Sequence, residues 1–370
     1  MALSNKDPQD IKDDLEAWLR RQLPEATDVG IDNLEVPQAS GMSNLTILFD
    51  ASWTTSSGEA TSEQLVARVA PEGPAVFMDY DLVKEFRVMQ ALAERTSVPV
   101  PRARWVEEDP SVLGAQFLVM ERAFGDIPSD DPPFTAAGWV LELDAAQQRA
   151  LCENSLGVLA DIHRADWQAL GLDFLVPADG VHPFDADVDL WQRIFDWGRA
   201  GDANPAVEAG FRWIAEHRPS TFSDTVLNWG DARVGNMMFA PDLRVTAVLD
   251  WEMVCLGPPE VELGWWLFLL RHHTEGIGAP LPPGFLTREE AIATYERFSG
   301  RPALDVDFYE TWAAVRLSAL MHRAGNLMIE LGMLPPDAPM KLNNPASQLL
   351  AKLIGVESPT GDAQSFIGNR

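Results

Sequence analysis

Residues 11–23, IKDDLEAWLRRQL, set apolar side chains at helical spacing, and Pro24 ends the pattern. The period then shortens. Two partly β-branched runs, NLTILFDASW (44–53) and QLVARV (64–69), flank a Ser/Thr-rich stretch centred on Gly58, which predicts an antiparallel hairpin. Residues 80–94 return to a helical period, Pro99 and Pro101 close that segment, and 104–107 and 116–121 read as two further strands. The first 123 residues are therefore expected to form a small sheet with one packed helix. Past Gly125 and a proline-rich acidic loop, DIPSDDPPF, helical periodicity dominates over 144–166, 186–216, 260–273, 287–298, 306–332 and 342–354. One interruption, 226–252, carries two β-like pieces around a polar turn. The pattern predicts an α+β chain with a small β-rich lobe over 1–123 and a larger, mainly helical lobe over 124–370. The cleft between two such lobes is the expected ligand site.

Composition narrows the partners. At 370 residues the chain is too long for one small module. Its 28 basic and 56 acidic residues give a formal charge of −28. A duplex nucleic-acid binder needs a basic footprint, and an anionic membrane surface repels such a chain, so neither partner is expected. Cys152 and Cys255 are too few and too far apart for a disulfide framework or a metal cluster, and both are expected to be buried thiols in a reducing compartment. The N-terminal MALSNKDPQD has no signal-peptide pattern. The most apolar run, 264–270, falls far short of the ~18 residues a membrane helix needs. A cytoplasmic protein is expected, with its oligomeric state left open.

The segment VLNWGDARVGNMMFAPDLRVTAVLDWE, 226–252, carries the chemistry. Asp231 precedes Asn236 by five positions, and Asp250 follows at the end of the apolar run VTAVL. Two carboxylates and an amide at a strand end suit a hard, oxygen-preferring cation such as Mg²⁺. Phosphoryl transfer needs those parts: one carboxylate to receive a hydroxyl proton, and an amide with a second carboxylate to hold metal on the phosphates. The kinase catalytic loop places its Asp and Asn at this same spacing. Asp, Gly and Asn are also common turn formers. The second Asp with its apolar lead-in is what raises this segment above a surface turn.

Trp229-Gly230-Asp231 with Asn236, followed by Leu249-Asp250-Trp251-Glu252, resembles the H-G-D-x-x-x-x-N and D-W-E blocks of the aminoglycoside phosphotransferase family, the small-molecule branch of the protein-kinase-like fold. The resemblance extends over roughly 30–330 and implies a two-lobe kinase-like architecture, with Asp231 as catalytic base and Asn236 and Asp250 as Mg²⁺ ligands. Two positions depart from the family pattern. Trp229 stands where His is usual, and Gly257-Pro258-Pro259 with Glu262 replaces G-D-P and a later Asp, in the region that braces the catalytic loop.

The same template points upstream. Ser40, Gly41 and Ser43, in SGMSN, would cover nucleotide phosphates with backbone N–H groups, although the stretch equally fits a plain turn into the hairpin. Kinase-like sites place a cation on the third strand, paired with a helix Glu. No lysine falls on a predicted strand, so Arg68 is the candidate and Glu85 its partner. Arg233 is placed to offset charge on the transferring phosphoryl group, and Met120 and Glu121 resemble the connector whose backbone binds adenine. His163 reads as a packing or capping residue, the His272-His273 pair has no third ligand nearby, and Trp191, Trp265 and Trp312 read as core and pocket lining.

The resemblance implies a kinase that uses ATP or GTP with Mg²⁺ to phosphorylate a small-molecule hydroxyl. A non-catalytic nucleotide-binding pseudokinase is the alternative that Trp229 and Pro258-Pro259 raise; a helical interaction protein without nucleotide is a third reading. The acidic chain points to a cationic, aminoglycoside-like acceptor. The style of NWGDARVGN with LDWE resembles the kinase-like domains related to acyl-CoA dehydrogenase fusions, which implies a hydroxyacyl thioester instead.

Overall fold

The stripe Ile11, Leu15, Trp18 and Leu19 is the buried face of helix α1, Pro8–Gln22, whose start is set by Asp7 accepting from the Gln9 N–H and by proline in the first turn. The computed structural model describes residues 6–37, 45–71, 73–361 and 363–364. Its chain divides into two units, Met1–Arg95 with Pro101–Ala123, and Thr96–Val100 with Phe124–Arg370.

In the first unit α1 packs on a five-stranded antiparallel sheet: β1 Thr27–Glu35, β2 Leu45–Thr54, β3 Ala60–Val69, β4 Ala103–Glu107 and β5 Phe117–Glu121, in the order β1-β2-β3-β5-β4. Alternate residues such as Ile47, Phe49, Leu65, Ala67 and Val119 bury against the α1 stripe in one core. The pleat turns Arg68 to the other face, where helix α2, Leu82–Arg95, supplies its partner. Two features differ from the expectation. Strand β1 is additional, and both α1 and α2 belong to this unit, where one helix was expected. In TDVGIDNLE only Val29 and Ile31 are buried, and Asp28 and Asn33 take positive φ, so the alternation is too short to stand out.

The second unit is mainly helical: α3 Ala145–Arg164, α4 Pro183–Gly198, α5 Pro205–Glu216, α6 Glu260–His272, α7 Arg288–Ser299, α8 Val306–Glu330 and α9 Pro345–Ile354. The expected single helix over 186–216 is two. The chain breaks at Ala200 and Gly201, both at positive φ, and restarts where the Asn204 side chain caps the Val207 N–H ahead of Pro205. Helix α8 is buried along most of its length and packs against α4, α5, α6 and α9. Between α5 and α6 lie four short strands rather than two: β6 Val226–Asn228 pairs with β9 Cys255–Gly257, and β7 Met237–Phe239 with β8 Val245–Val248. Cys152 is buried, whereas Cys255 is only half-buried, at the edge of this ladder. No helix among the described residues is long and apolar enough to cross a membrane.

Candidate active site

Strand β6 delivers the chain into Trp229-Gly230-Asp231. Gly230 has φ +102°, and a Cβ there would lie 2.2 Å from the Met253 carbonyl oxygen, so no other residue fits this close approach without displacing backbone. Glu262, buried in the first turn of α6, holds the loop from beneath. Its Oε2 accepts from the Trp229 N–H at 2.8 Å, and its Oε1 accepts from the Gly230 N–H. His163 of α3 lies 2.9 Å from the same carboxylate through Nε2, and its Nδ1 is 2.7 Å from the Tyr295 hydroxyl. The carboxylate can only accept, so Nε2 donates to it, and the ring links Glu262 to Tyr295 through its two nitrogens. Glu262, three positions past Pro259, thus braces this loop, where the resemblance led to a later Asp being expected.

Trp229 does a second job. Fully buried, its Nε1–H donates to the carbonyls of Leu249 (2.8 Å) and Asp250 (2.9 Å). Asp250 sits at a left-handed corner, φ 62°, and Leu249 donates its N–H to the Asn236 carbonyl at 2.8 Å. The backbone therefore brings Asp250 beside both the Asp231 loop and Asn236. The indole at 229 ties the two halves of the motif together, a task for which a ring N–H suffices.

Asp231 is gripped by three donors. Trp265 Nε1 donates to Oδ1 at 2.7 Å, while Arg233 Nε (3.0 Å) and Asn236 Nδ2 (2.7 Å) donate to Oδ2. A carboxylate offers about four acceptor positions, so among the described residues Oδ2 is filled and one position remains on Oδ1. The side chain keeps 14% of its surface exposed. Burial pushes its pKa up, but the Arg233 charge and the hydrogen bonds from Trp265, Arg233 and Asn236 outweigh burial and hold it below the ordinary carboxylate value. Burial acts to lower the Arg233 pKa; the charges of Asp231 and Asp130 overcome it, and the guanidinium also bonds Asp130 in the loop before α3. The amide NH₂ of Asn236 is committed to Asp231, which turns its oxygen away from that carboxylate.

The remaining predicted residues lie as follows. Arg68 and Glu85 form an ion pair at 3.4 Å, with Glu85 buried. Met120 and Glu121 lie inside β5 rather than in an open connector: Met120 is paired with Val66 and Ala103, the Glu121 N–H donates to the Arg102 carbonyl, and the Arg122 N–H to the Gln64 carbonyl. Ser40, Gly41 and Ser43 lie outside the described residues. Pattern reading missed the side chains that hold the motif. Trp265 read as lining, yet a buried indole N–H needs an acceptor. Glu262 was noted only as a substitution, and Asp130 only as part of an acidic loop.

The family model described as the phosphotransferase enzyme family matches residues 36–301, more than two thirds of the chain. Among curated proteins the chain is 30% identical over 271 residues to acyl-CoA dehydrogenase family member 10 of Mus musculus, an alignment that covers 70% of this chain and 24% of that protein. It is 28% identical over 376 residues to acyl-CoA dehydrogenase family member 11 of Rattus norvegicus, covering 95% of this chain and 44% of that one. The chain thus spans less than half the length of these relatives. Among solved structures, a protein provisionally described as an aminoglycoside phosphotransferase, from Ralstonia eutropha JMP134, is 26% identical with a TM-score of 0.66, covering 92% of this chain and 95% of that one. A match of this extent, which includes the loop built around Asp231, places the chain in the phosphotransferase enzyme family.

Proposed function

We propose that the chain transfers the γ-phosphoryl group of ATP, with Mg²⁺, to the hydroxyl of a small molecule. One observation carries the reading: Asp231 is fixed by three donors, beside the Arg233 cation, with a single acceptor position left on Oδ1. A carboxylate so held is ionised throughout the neutral range. It orients the acceptor hydroxyl and receives its proton as the phosphoryl group departs, in keeping with a loose transition state that asks mainly for positioning. Arg233 supplies positive charge next to the reacting atoms. In the first unit, the Arg68–Glu85 pair is the proposed grip on the nucleotide phosphates, Arg68 offering a planar fork where many kinases use lysine.

No cluster of three or more metal-ligating His, Cys, Asp or Glu side chains occurs among the described residues. That suits Mg²⁺, which takes one or two protein oxygens and completes its shell with phosphates and water. The Asn236 oxygen and the Asp250 carboxylate, neighbours through the backbone, are the proposed ligands. When bound, the ion would supply positive charge to offset that of the phosphates.

The acceptor proposed is an acyl thioester bearing a hydroxyl group, because the curated relatives are named for acyl-CoA chemistry. Against the pseudokinase reading raised by Trp229 and Pro258-Pro259 stand the contacts that Glu262 and Trp229 make with this loop. The test is turnover of Mg-ATP with a panel of hydroxyacyl-CoA compounds and aminoglycosides, using Asp231→Asn and Asp250→Ala. The first variant is expected to bind nucleotide without transferring phosphate, and the second to bind Mg-ATP weakly. Near wild-type transfer by Asp231→Asn would overturn the assignment, and nucleotide binding without turnover by the wild type on any acceptor would favour the pseudokinase.

A further inference from the structure

Arg316 lies in the middle of α8 with 2% of its surface exposed. Among the described residues no carboxylate comes within ion-pair distance of it. Its Nη2 donates to the Gly230 carbonyl at 3.3 Å, and its Nε has no partner. Otherwise it is enclosed by aromatic faces: the guanidinium carbon is 4.9 Å from the centre of the Trp191 ring and 4.5 Å from that of Trp265. A buried cation without a counter-ion is strongly unfavourable unless something nearby compensates it.

The compensating group is one indole away. Trp265 has Arg316 over its face and, at its edge, donates Nε1–H to Asp231 Oδ1 at 2.7 Å. A cation over the face of an indole draws on its π density and makes the edge N–H a stronger donor. Cation, ring and carboxylate therefore reinforce one another, while the Gly230 contact fixes the adjoining backbone.

We infer that Arg316 is a positioning residue for Asp231: it acts through the Trp265 indole to lock Oδ1, so that the one acceptor position left on that oxygen faces the hydroxyl to be phosphorylated. This rests on the reading of Asp231 as the base. Arg316 touches neither acceptor nor nucleotide in this role.

The indole N–H resonance of Trp265 reports the relay without nucleotide, metal or turnover. In ¹H–¹⁵N spectra, with the peak assigned by its loss in Trp265→Phe, the resonance is expected to move upfield in Arg316→Met and in Asp231→Asn and to stay near its wild-type position in Arg316→Lys. Hydrolysis of Mg-ATP, with water as acceptor, is expected to fall about tenfold in kcat in Arg316→Met, the scale of a desolvated cation–π contact, with the KM for ATP unchanged. Lysine is expected to restore most of it, and in the Trp265→Phe background Arg316→Met is expected to add no further loss.

An unmoved indole resonance in Arg316→Met, or losses that simply add in the double variant, overturns the inference. Should Arg316→Met not fold, Arg316→Gln, which removes the charge but keeps an N–H donor for the Gly230 carbonyl, compared in wild-type and Trp265→Phe backgrounds decides: equal losses in both overturn the inference, and a loss only where the indole is present supports it. Hydrolysis that survives in Asp231→Asn refutes the base assignment, whereas an inactive Asp231→Asn beside an unmoved indole peak in Arg316→Met refutes the relay alone.

Discussion

Replacing Glu262 by alanine tests how the loop that carries Asp231 is held. The carboxylate accepts the N–H groups of Trp229 and Gly230 and meets His163 Nε2, and its residue is 1% exposed. Alanine leaves two backbone donors and an imidazole N–H without their acceptor. Each unsatisfied buried donor costs about 1–3 kcal/mol. Relief of a buried charge and entry of water into the space offset part of that sum. A net loss of about 2–4 kcal/mol follows, a large share of the roughly 5–15 kcal/mol that holds a typical protein folded. Glutamine keeps one accepting oxygen but turns an NH₂ group toward the other donor, so it is expected to lose about half as much. The loop that carries Asp231 shifts in both variants, and a displacement near 1 Å at the reacting group lowers kcat by about 100-fold. Urea denaturation followed by tryptophan fluorescence, with phosphoryl transfer measured in parallel, checks both effects. If both variants unfold at the wild-type urea concentration and turn over at the wild-type rate, Glu262 is not the brace described here.

Trp229→Phe keeps the ring and removes the N–H shared by the Leu249 and Asp250 carbonyls, so about 1–3 kcal/mol of stability is expected to go; the thermal shift produced by Mg-ATP should shrink with it, and an unchanged shift would detach Trp229 from the Asp250 corner. Gly230→Ala meets both a positive φ and a backbone oxygen 2.2 Å from the new Cβ, and is expected to lose at least about 3 kcal/mol or not to accumulate as folded protein, as read by expression and chemical denaturation. Burial, followed by mutual repulsion for His272 and by the Arg233 charge for His273, lowers their pKa values from 6.5 to about 3. The unfolded chain then binds more protons than the folded one below pH 6.5, so stability falls as pH drops from about 6.5 toward 3, by about 1.4 kcal/mol per pH unit for each ring. Denaturation midpoints between pH 7 and 5 should show that slope, and His272→Gln should reduce it.

The residues that do the proposed chemistry are close in sequence, and that proximity made them legible. Asp231, Arg233, Asn236 and Asp250 fall within one run whose strand–turn–strand alternation predicts a meeting before any coordinates are known. The small sheet was legible for the same reason, except for β1, whose two buried side chains are too few to make a pattern. The groups that hold the motif come from elsewhere: His163 from α3, Glu262 and Trp265 from α6, Tyr295 from α7, Arg316 from α8. Periodicity says that a helix face is buried but not what it is buried against. Arg316 still left a trace, a charge in the apolar run TWAAVRLSALM, where burial demands a compensating partner. Its partner is set by how α6 and α8 meet. Gly264 packs so closely on α8 that a Cβ there would lie 2.5 Å from the Tyr309 carbonyl carbon. Trp265, the next residue, is thereby carried over the guanidinium two turns farther along α8, with its N–H left to reach Asp231. A glycine with no chemistry of its own thus decides which ring stands between the buried cation and the carboxylate, and only the packed structure makes that dependence visible.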